Sequence, residues 1–508
     1  MVSRLIYLVF LTYYKNSQDC ILFARLRQGR MQPFSLKLTR IKPFDPNHKH
    51  QEKESKMAIK REDGNAQPGI RWGKFTTRIP GIHVDFSLPE IIQGGLLTTA
   101  TGGVVAGLCM KFFQVPFEVA WAVVLIQLFW LWVVPTLICG EPYAPGWITP
   151  ALPLVMAFLG TFPAGIPAIQ AMVAVTVCVS VIFLFFAVTG LGKKFFQRVP
   201  VELRAAIIFG GAIAAFNAEF GRMATMPITL PIVWGVVFLL MFSIWFTKAR
   251  QKNKALNLVG SMALLAGFLV AAIVGPLTGE LTFDIKTGFH IPQIGAYIKA
   301  VSPFFVGWPS LDIYLKAFPL AIMIYIFVFG DLVLADTLLD QAGEVRKDEK
   351  LETDNTRSHI ILFVRNMGHL LTGGPFIPLH GPIWTGVHVF LTERYKSGRE
   401  NLDSFFSGIC NWYWPAFILI FLVPVVTFMK PLLAVALSIT LILTGFACAY
   451  TAISMVKTPA AQGYAFFVGM IIAKFGPAWG MGVGVGLYLL LLARKIPGAA
   501  MEIIPEKR

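Results

Sequence analysis

The sequence predicts an all-α polytopic membrane protein, with about fourteen transmembrane segments arranged as a seven-plus-seven inverted repeat. Three observations lead there. The 508 residues are 56% hydrophobic and only 14% charged, where soluble domains carry roughly 25% charged residues. Apolar runs near the length of a bilayer span recur along the chain. Two stretches rich in Pro and Gly, 140–150 and 372–386, interrupt those runs at matching places in the two halves. Prolines remove backbone donors and disfavour helix in the residue before them. Irregular backbone at membrane depth is tolerated only where protein or a wet cavity surrounds it, so a pair of such breaks marks a transporter binding site.

In chain order, residues 1–86 read as a basic, largely disordered tail. The apolar run Leu5 to Tyr14 is too short to span a bilayer. It is either the core of a signal peptide lacking a small-residue cleavage site or part of an upstream extension, with Met57 as the native start. Ser87-Leu88-Pro89-Glu90 carries capping-box spacing and opens segment 1, over 90–113. Its many Gly and Thr residues suit close helix packing in a membrane. Segment 2 follows over 117–138, a half-length segment 3 over 148–161, and segment 4 over 166–190. Segments 5, 6 and 7 fall at 203–219, 230–247 and 256–275, and a long connection at 276–315. Segment 8 occupies 317–339, segment 9 359–372 and half-segment 10 382–392. Segments 11 to 14 are placed at 412–429, 431–452, 460–473 and 477–493.

Lys193, Lys194, Arg198, the cluster Lys248 to Lys254, Arg346 to Lys350 and Arg394 to Arg399 all fall in loops on one side of this arrangement. The positive-inside bias then places both termini in the cytoplasm of a cell that carries the protein in its inner or plasma membrane. The same distribution accounts for the net charge of +16 without nucleic acid. The six cysteines show no metal spacing and read as small buried hydrophobes. No Walker motif, HExxH or Ser/His/Asp signature points to a pump or an enzyme, and no cofactor is expected.

Segment 8 carries Asp331 and Asp336, and an intramembrane carboxylate is a functional candidate by default. Five residues apart, the two lie about 140° apart around a helix and cannot both face one small site. Arg365, within segment 9, either balances one of them or attracts an anion. His369, His380 and His388 cluster around the second break, with His380 the one most suited to a substrate or proton role.

Gly373-Gly374-Pro375, followed by polar and small residues, resembles the tenth segment of uracil and xanthine permeases. Val199-Pro200-Val201 before segment 5 and Lys430-Pro431 before segment 12 resemble the starts of their gate helices. Over 88–494 the chain thus looks like a divergent permease group within the superfamily of nucleobase–ascorbate transporters and SulP sulfate permeases. The resemblance implies a core domain (87–199 and 317–430), a gate domain (200–276 and 431–495), an extracytoplasmic loop (277–316) and a cytoplasmic tail (496–508). It further implies an elevator-like movement and a homodimer in the lipid bilayer, with substrate held between the half-segments. By the same likeness Asp331 matches a substrate-contacting carboxylate of segment 8, and Asp336 is a second candidate for a coupling proton or sodium ion.

The sequence departs from that pattern at Pro382, which stands near the place where nucleobase permeases carry an acidic or amide group. No carboxylate lies between Asp354 and Glu393. Two inward-pointing helix N-termini without nearby negative charge suit an anionic group, with Thr149 and Thr385 as hydroxyl donors and Trp147, Trp384 and Phe376 as walls. The expected function is secondary transport of a small polar, anionic solute coupled to H⁺ or Na⁺. A nucleobase symporter using Asp331 alone, and an ion channel, are the alternatives.

Overall fold

The computed structural model describes residues 59–492 except 193, 195–197, 254, 255, 257, 258, 261 and 262. The chain divides into two units, one of 57–234 with 264–508 and one of 1–56 with 235–263. Of the smaller unit the described part is helical, bent by 48° at Ser243, whose hydroxyl accepts from Phe246 N at the start of helix Ile244–Lys252. Segment 6, expected as one helix over 230–247, is therefore broken at that serine.

The larger unit is a helical membrane protein. Among the described residues, the helices long and apolar enough to cross a membrane are Leu88–Phe113, Phe117–Ile138, Ile166–Thr189, Val201–Met223, Leu311–Val345 and Val423–Met455. We label those that build the site α1 (Leu88–Leu108), α2 (Ala122–Leu128), α3 (Leu152–Leu159), α4 (Ile166–Thr189), α5 (Val201–Met223), α6 (Leu311–Val345), α7 (Asn355–Gly373), α8 (Thr385–Lys396), α9 (Phe405–Tyr413), α10 (Val423–Met455) and α11 (Pro459–Phe475). Packing gathers α4, α6 and α7 on one side and α5, α10 and α11 on the other, while α1 touches both α9 and α10. Gly94 shows why small residues line α1. A Cβ there would stand 2.4 Å from the Trp412 backbone, so α1 and α9 meet main chain to main chain.

The expected boundary between segments 11 and 12 is corrected. Segment 11 is α9 with a short turn of helix at Ala416–Leu419, and the chain breaks at Leu422, the N-cap of α10. There His290 N bonds Phe421 O and Val423 N bonds Gly288 O. Lys430-Pro431 lies inside α10, so the core–gate boundary expected at 430/431 falls within a helix. One interior proline removes one backbone donor, and membrane helices absorb that. Pro424, in the first turn, sits where its missing donor has no intrahelical role.

The tail is corrected as well. Residues 1–58 lie outside the described residues, but 59–86 are ordered. Ile70–Trp72 and Phe75–Thr77 form a hairpin, and Thr76 N and Arg78 N bond Cys139 O and Leu137 O at the end of segment 2. Arg61 is buried against three carboxylates, Asp348 at 2.7 Å and Glu349 and Asp403 at 3.6 Å each. Composition suggested disorder because this segment has few apolar residues, yet ionic contacts to distant loops hold it. Ser87 does not bond the α1 backbone with its side chain. Its hydroxyl donates to Glu90, which also pairs with Arg394 at 2.8 Å.

Candidate functional site

Both breaks converge on one point. After segment 2, Gly140 takes a left-handed turn (φ +65°), and Glu141-Pro142-Tyr143-Ala144-Pro145 runs irregularly into a two-residue strand, Gly146–Trp147. A 3-10 turn, Thr149–Ala151, then opens α3. After α7, Gly374 turns (φ +81°), and Pro375 to Leu379 lead to a second strand, His380–Gly381, ahead of α8. The strands pair antiparallel, Gly146 opposite Gly381 and Trp147 opposite His380. Side chains at the two glycines are excluded. A Cβ on Gly146 would stand 2.3 Å from Trp384 N, and one on Gly381 2.9 Å from Ile148 N. Two antiparallel breaks meeting at equivalent residues are what an inverted repeat produces at its centre.

Buried backbone outside regular structure needs partners, and side chains from three helices supply them. Arg365 of α7, fully buried, donates Nε to Trp130 O (2.9 Å), Nη1 to Gly381 O (2.7 Å) and Nη2 to Gly146 O (3.3 Å). It therefore holds both strands and the end of segment 2 together. Asn366 reads both backbone groups of His380, accepting from its N and donating to its O at 2.9 Å each. Tyr413 of α9 donates to Pro145 O (2.6 Å), and His388 Nδ1 of α8 accepts from Ala144 N (3.2 Å). Ile148 N to Leu379 O and Trp384 N to Ala144 O complete the crossing.

Beside it lies a cavity of about 30 Å³, lined among others by Thr98 and Thr101 of α1, Gln127 of α2, Trp147 and Thr149, Trp384, and Thr440 of α10. That is room for about one water-sized guest as it stands. No carboxylate and no charged side chain lines it. Neither half-helix start carries an acidic residue in its first turn or a side-chain cap, and Trp384 is the N-cap of α8. Hydroxyl, amide and main-chain groups beside two helix N-termini form an environment for a small anion.

The expected site residues separate into four places. Trp147, Thr149 and Trp384 line the cavity. Phe376 and His380 stand behind it: Phe376 stacks on His380 (4.4 Å between ring centres) and on His369 (4.8 Å), and meets Trp147 edge-on at 6.2 Å. His369 Nδ1 and His380 Nε2 share a hydrogen bond of 2.8 Å. Pro382 is buried in the turn before α8, and Thr385 is the first residue of that helix, half-buried; neither lines the cavity. Asp331 and Asp336, on α6, stand apart from it too. Asp336 Oδ1 accepts from Tyr143 Oη of the first break at 2.5 Å. Asp331 Oδ2 is buried and has no hydrogen-bond partner among the described residues.

Sequence reading missed Thr98, Thr101, Gln127 and Thr440. Gln127 had a signal, being the one amide or hydroxyl side chain between Glu118 and Thr136 in an otherwise apolar span. Arg365 was singled out as balancing Asp331 or Asp336 or as attracting an anion; its hydrogen-bond partners among the described residues are carbonyls, and neither carboxylate is among them.

No family model matches the chain, and no curated protein matches its sequence. Solved structures do. SLC26A9 aligns at TM-score 0.50 and 13% identity, over 80% of this chain and 65% of that one. The transmembrane domain of a cyanobacterial bicarbonate transporter, BicA, aligns at TM-score 0.46 and 13% identity, over 76% of this chain and 97% of that one. This chain thus spans about two thirds of SLC26A9, and the likeness is one of fold. The chain shares the fold of SLC26A9.

Proposed function

We propose that the protein is a secondary active transporter of a small anion, bound where the two half-helices α3 and α8 start. The observation that carries this reading is the composition of the cavity. Two helix N-termini, four threonines and a glutamine face it, with no carboxylate to repel a negative guest. Thr440 comes from the gate half implied by the sequence and the other lining groups from the core half, so substrate sits between two bodies able to slide past one another. An elevator movement of a homodimer in the cell membrane, with cytoplasmic termini and H⁺ or Na⁺ coupling, completes the reading. A nucleobase reading requires a carboxylate at the ligand, and Asp331 is not among the lining residues.

The test is a ligand screen by thermal stabilisation of the purified protein, with uptake into vesicles as its partner. Inorganic anions and small carboxylates should raise the melting temperature, and Thr149→Val with Thr98→Val should reduce that shift. Stabilisation by uracil or xanthine, with no response to any anion, would overturn the reading.

A further inference from the structure

We propose that Glu141 is the proton-binding site of this transporter, and that it couples a proton to the anion through the charge of Arg365. The proposal rests on the anion reading above. Glu141 is buried (1% exposed) in the first break, and its Oε1 has no hydrogen-bond partner among the described residues. Its backbone is pinned, with Glu141 N donating to Pro135 O (2.9 Å) and the carbonyl of Gly140 accepting from Arg78 Nη1 (3.3 Å).

The charged and titratable groups that face it are Arg365 and Arg357 from α7, Asp336 from α6, and Cys139 and Tyr143 from its own segment. Arg365 reaches the cavity wall from behind. All three of its hydrogen bonds among the described residues end on carbonyls, one of them Gly146 O, and Gly146 lines the cavity. The guanidinium therefore stands one peptide group behind the cavity wall. With Glu141 ionised, its charge offsets Arg365 and the wall is electrically quiet. With Glu141 protonated, the wall carries an uncompensated positive charge in a medium of low dielectric constant, where charges act strongly. An anion can then take the place of the Glu141 charge. Proton and anion bind together, and linkage requires each to tighten the other by the same factor.

A route for the proton is also present. Thr353 and Asp340 are exposed at the loop end of α6 and α7 and face half-buried Asp336. Asp336 accepts from Tyr143 Oη. Ser358 of α7 lies close to both Tyr143 and Glu141, and its hydroxyl donates to Asp354 O at 3.2 Å. A hydroxyl that can rotate between Asp354 O and Glu141 closes a chain from the surface to the buried carboxylate. The proton moves from one oxygen to the next and ends on a Glu141 oxygen, with no other bond made or broken.

The experiment uses the full chain in lipid nanodiscs, with sodium sulfate, nitrate and oxalate as probes, because their charges hold between about pH 5.5 and 8.5. Affinity is read by calorimetry and proton uptake by a pH dye in weakly buffered solution. In wild type, affinity should rise on the order of tenfold as pH falls across this range, with proton uptake on anion binding. Glu141→Gln mimics the protonated side chain. It should bind anion at high pH as tightly as wild type does at low pH, without taking up a proton. If Glu141→Gln fails to fold, Ser358→Ala serves instead. It keeps the carboxylate but removes a polar neighbour of the charged form, and should move the pH midpoint upward. Proton uptake retained in Glu141→Gln, a midpoint unmoved in Ser358→Ala, or pH-independent affinity in wild type would overturn the proposal alone. No anion binding by wild type at any pH would overturn the anion reading and this proposal with it.

Discussion

Arg365→Met and Arg365→Lys together decide what the buried guanidinium does. Two effects of opposite sign compete in the methionine variant. Removing a buried cation relieves a desolvation penalty of several kcal/mol. It also strips donors from Trp130 O, Gly381 O and Gly146 O, three carbonyls on three segments. Hydrogen bonds from a charged donor contribute roughly 1.5–3 kcal/mol each, and an unsatisfied buried acceptor costs about 1–3 kcal/mol. Three of them outweigh the relief, so Arg365→Met should be destabilised by on the order of 3 kcal/mol. Lysine keeps the charge but replaces a planar fork with a point donor, so Arg365→Lys should also lose stability and should disorder the strand pair. The assay is thermal unfolding in detergent followed by tryptophan fluorescence, with anion-induced stabilisation measured on the same samples. A methionine variant that melts at or above the wild-type temperature and still responds to anions would refute the reasoning, because the carbonyls would then need no donor.

Further predictions concern the glycines and the ordered tail. Gly146→Ala should abolish folded protein or anion binding, since its Cβ would meet Trp384 N at 2.3 Å, whereas Gly386→Ala, with open space around its Cβ, should leave size-exclusion profile and melting unchanged. Arg61→Met strips the cation from a buried Glu349 and should destabilise by about 3 kcal/mol; adding Glu349→Gln should recover part of the loss in the same melting assay. Burial works to raise the Asp348 carboxyl, but Arg346 and Arg61 outweigh it and hold it at about 2. Being depressed, it contributes stability above its unfolded value, up to about 2 kcal/mol, lost only as pH falls from about 4 toward 2. Hydrogen exchange across 59–86 should therefore stay protected through neutral and mildly acidic pH. Protection already fading near neutrality would assign the contact to another group.

What the sequence made legible follows from which forces act locally. Hydropathy and proline placement marked the two breaks, because both depend on residues next to one another in the chain. The expected starts of α4 and of segment 2 agree with the structure for the same reason. Lys430-Pro431 misled because a proline signals a stop only where nothing else supports the helix, and α10 is packed along its length by α1 and α5. The tail was misread because its order depends on Arg61 meeting Asp348 and Asp403, partners 287 and 342 residues away. The site shows the same division. Trp147, Thr149 and Trp384 were readable because they flank the breaks, whereas Thr98, Gln127 and Thr440 reach the cavity from helices whose rotation no local pattern specifies.

The carboxylates show most plainly why spacing alone could not assign the chemistry. Asp331 and Asp336 stood out as charges in an apolar run, and the helical repeat required them to part. It could not say which would turn toward a break. The structure gives Asp336 to Tyr143 and leaves Asp331 Oδ2 without a hydrogen-bond partner among the described residues. Glu141, hidden beside a proline in an irregular stretch, drew no notice as a charge, yet it shares the interior with Arg365 just behind the strand crossing. Under the proposed coupling, a cation held by carbonyls, with a carboxylate close by whose Oε1 has no hydrogen-bond partner among the described residues, leaves the charge balance of this interior open to a proton. Arg365 clamps the two breaks, and in the proposed mechanism it is also the charge that the anion senses. The two Arg365 variants separate these roles, since lysine keeps the charge and loses the clamp, and methionine loses both.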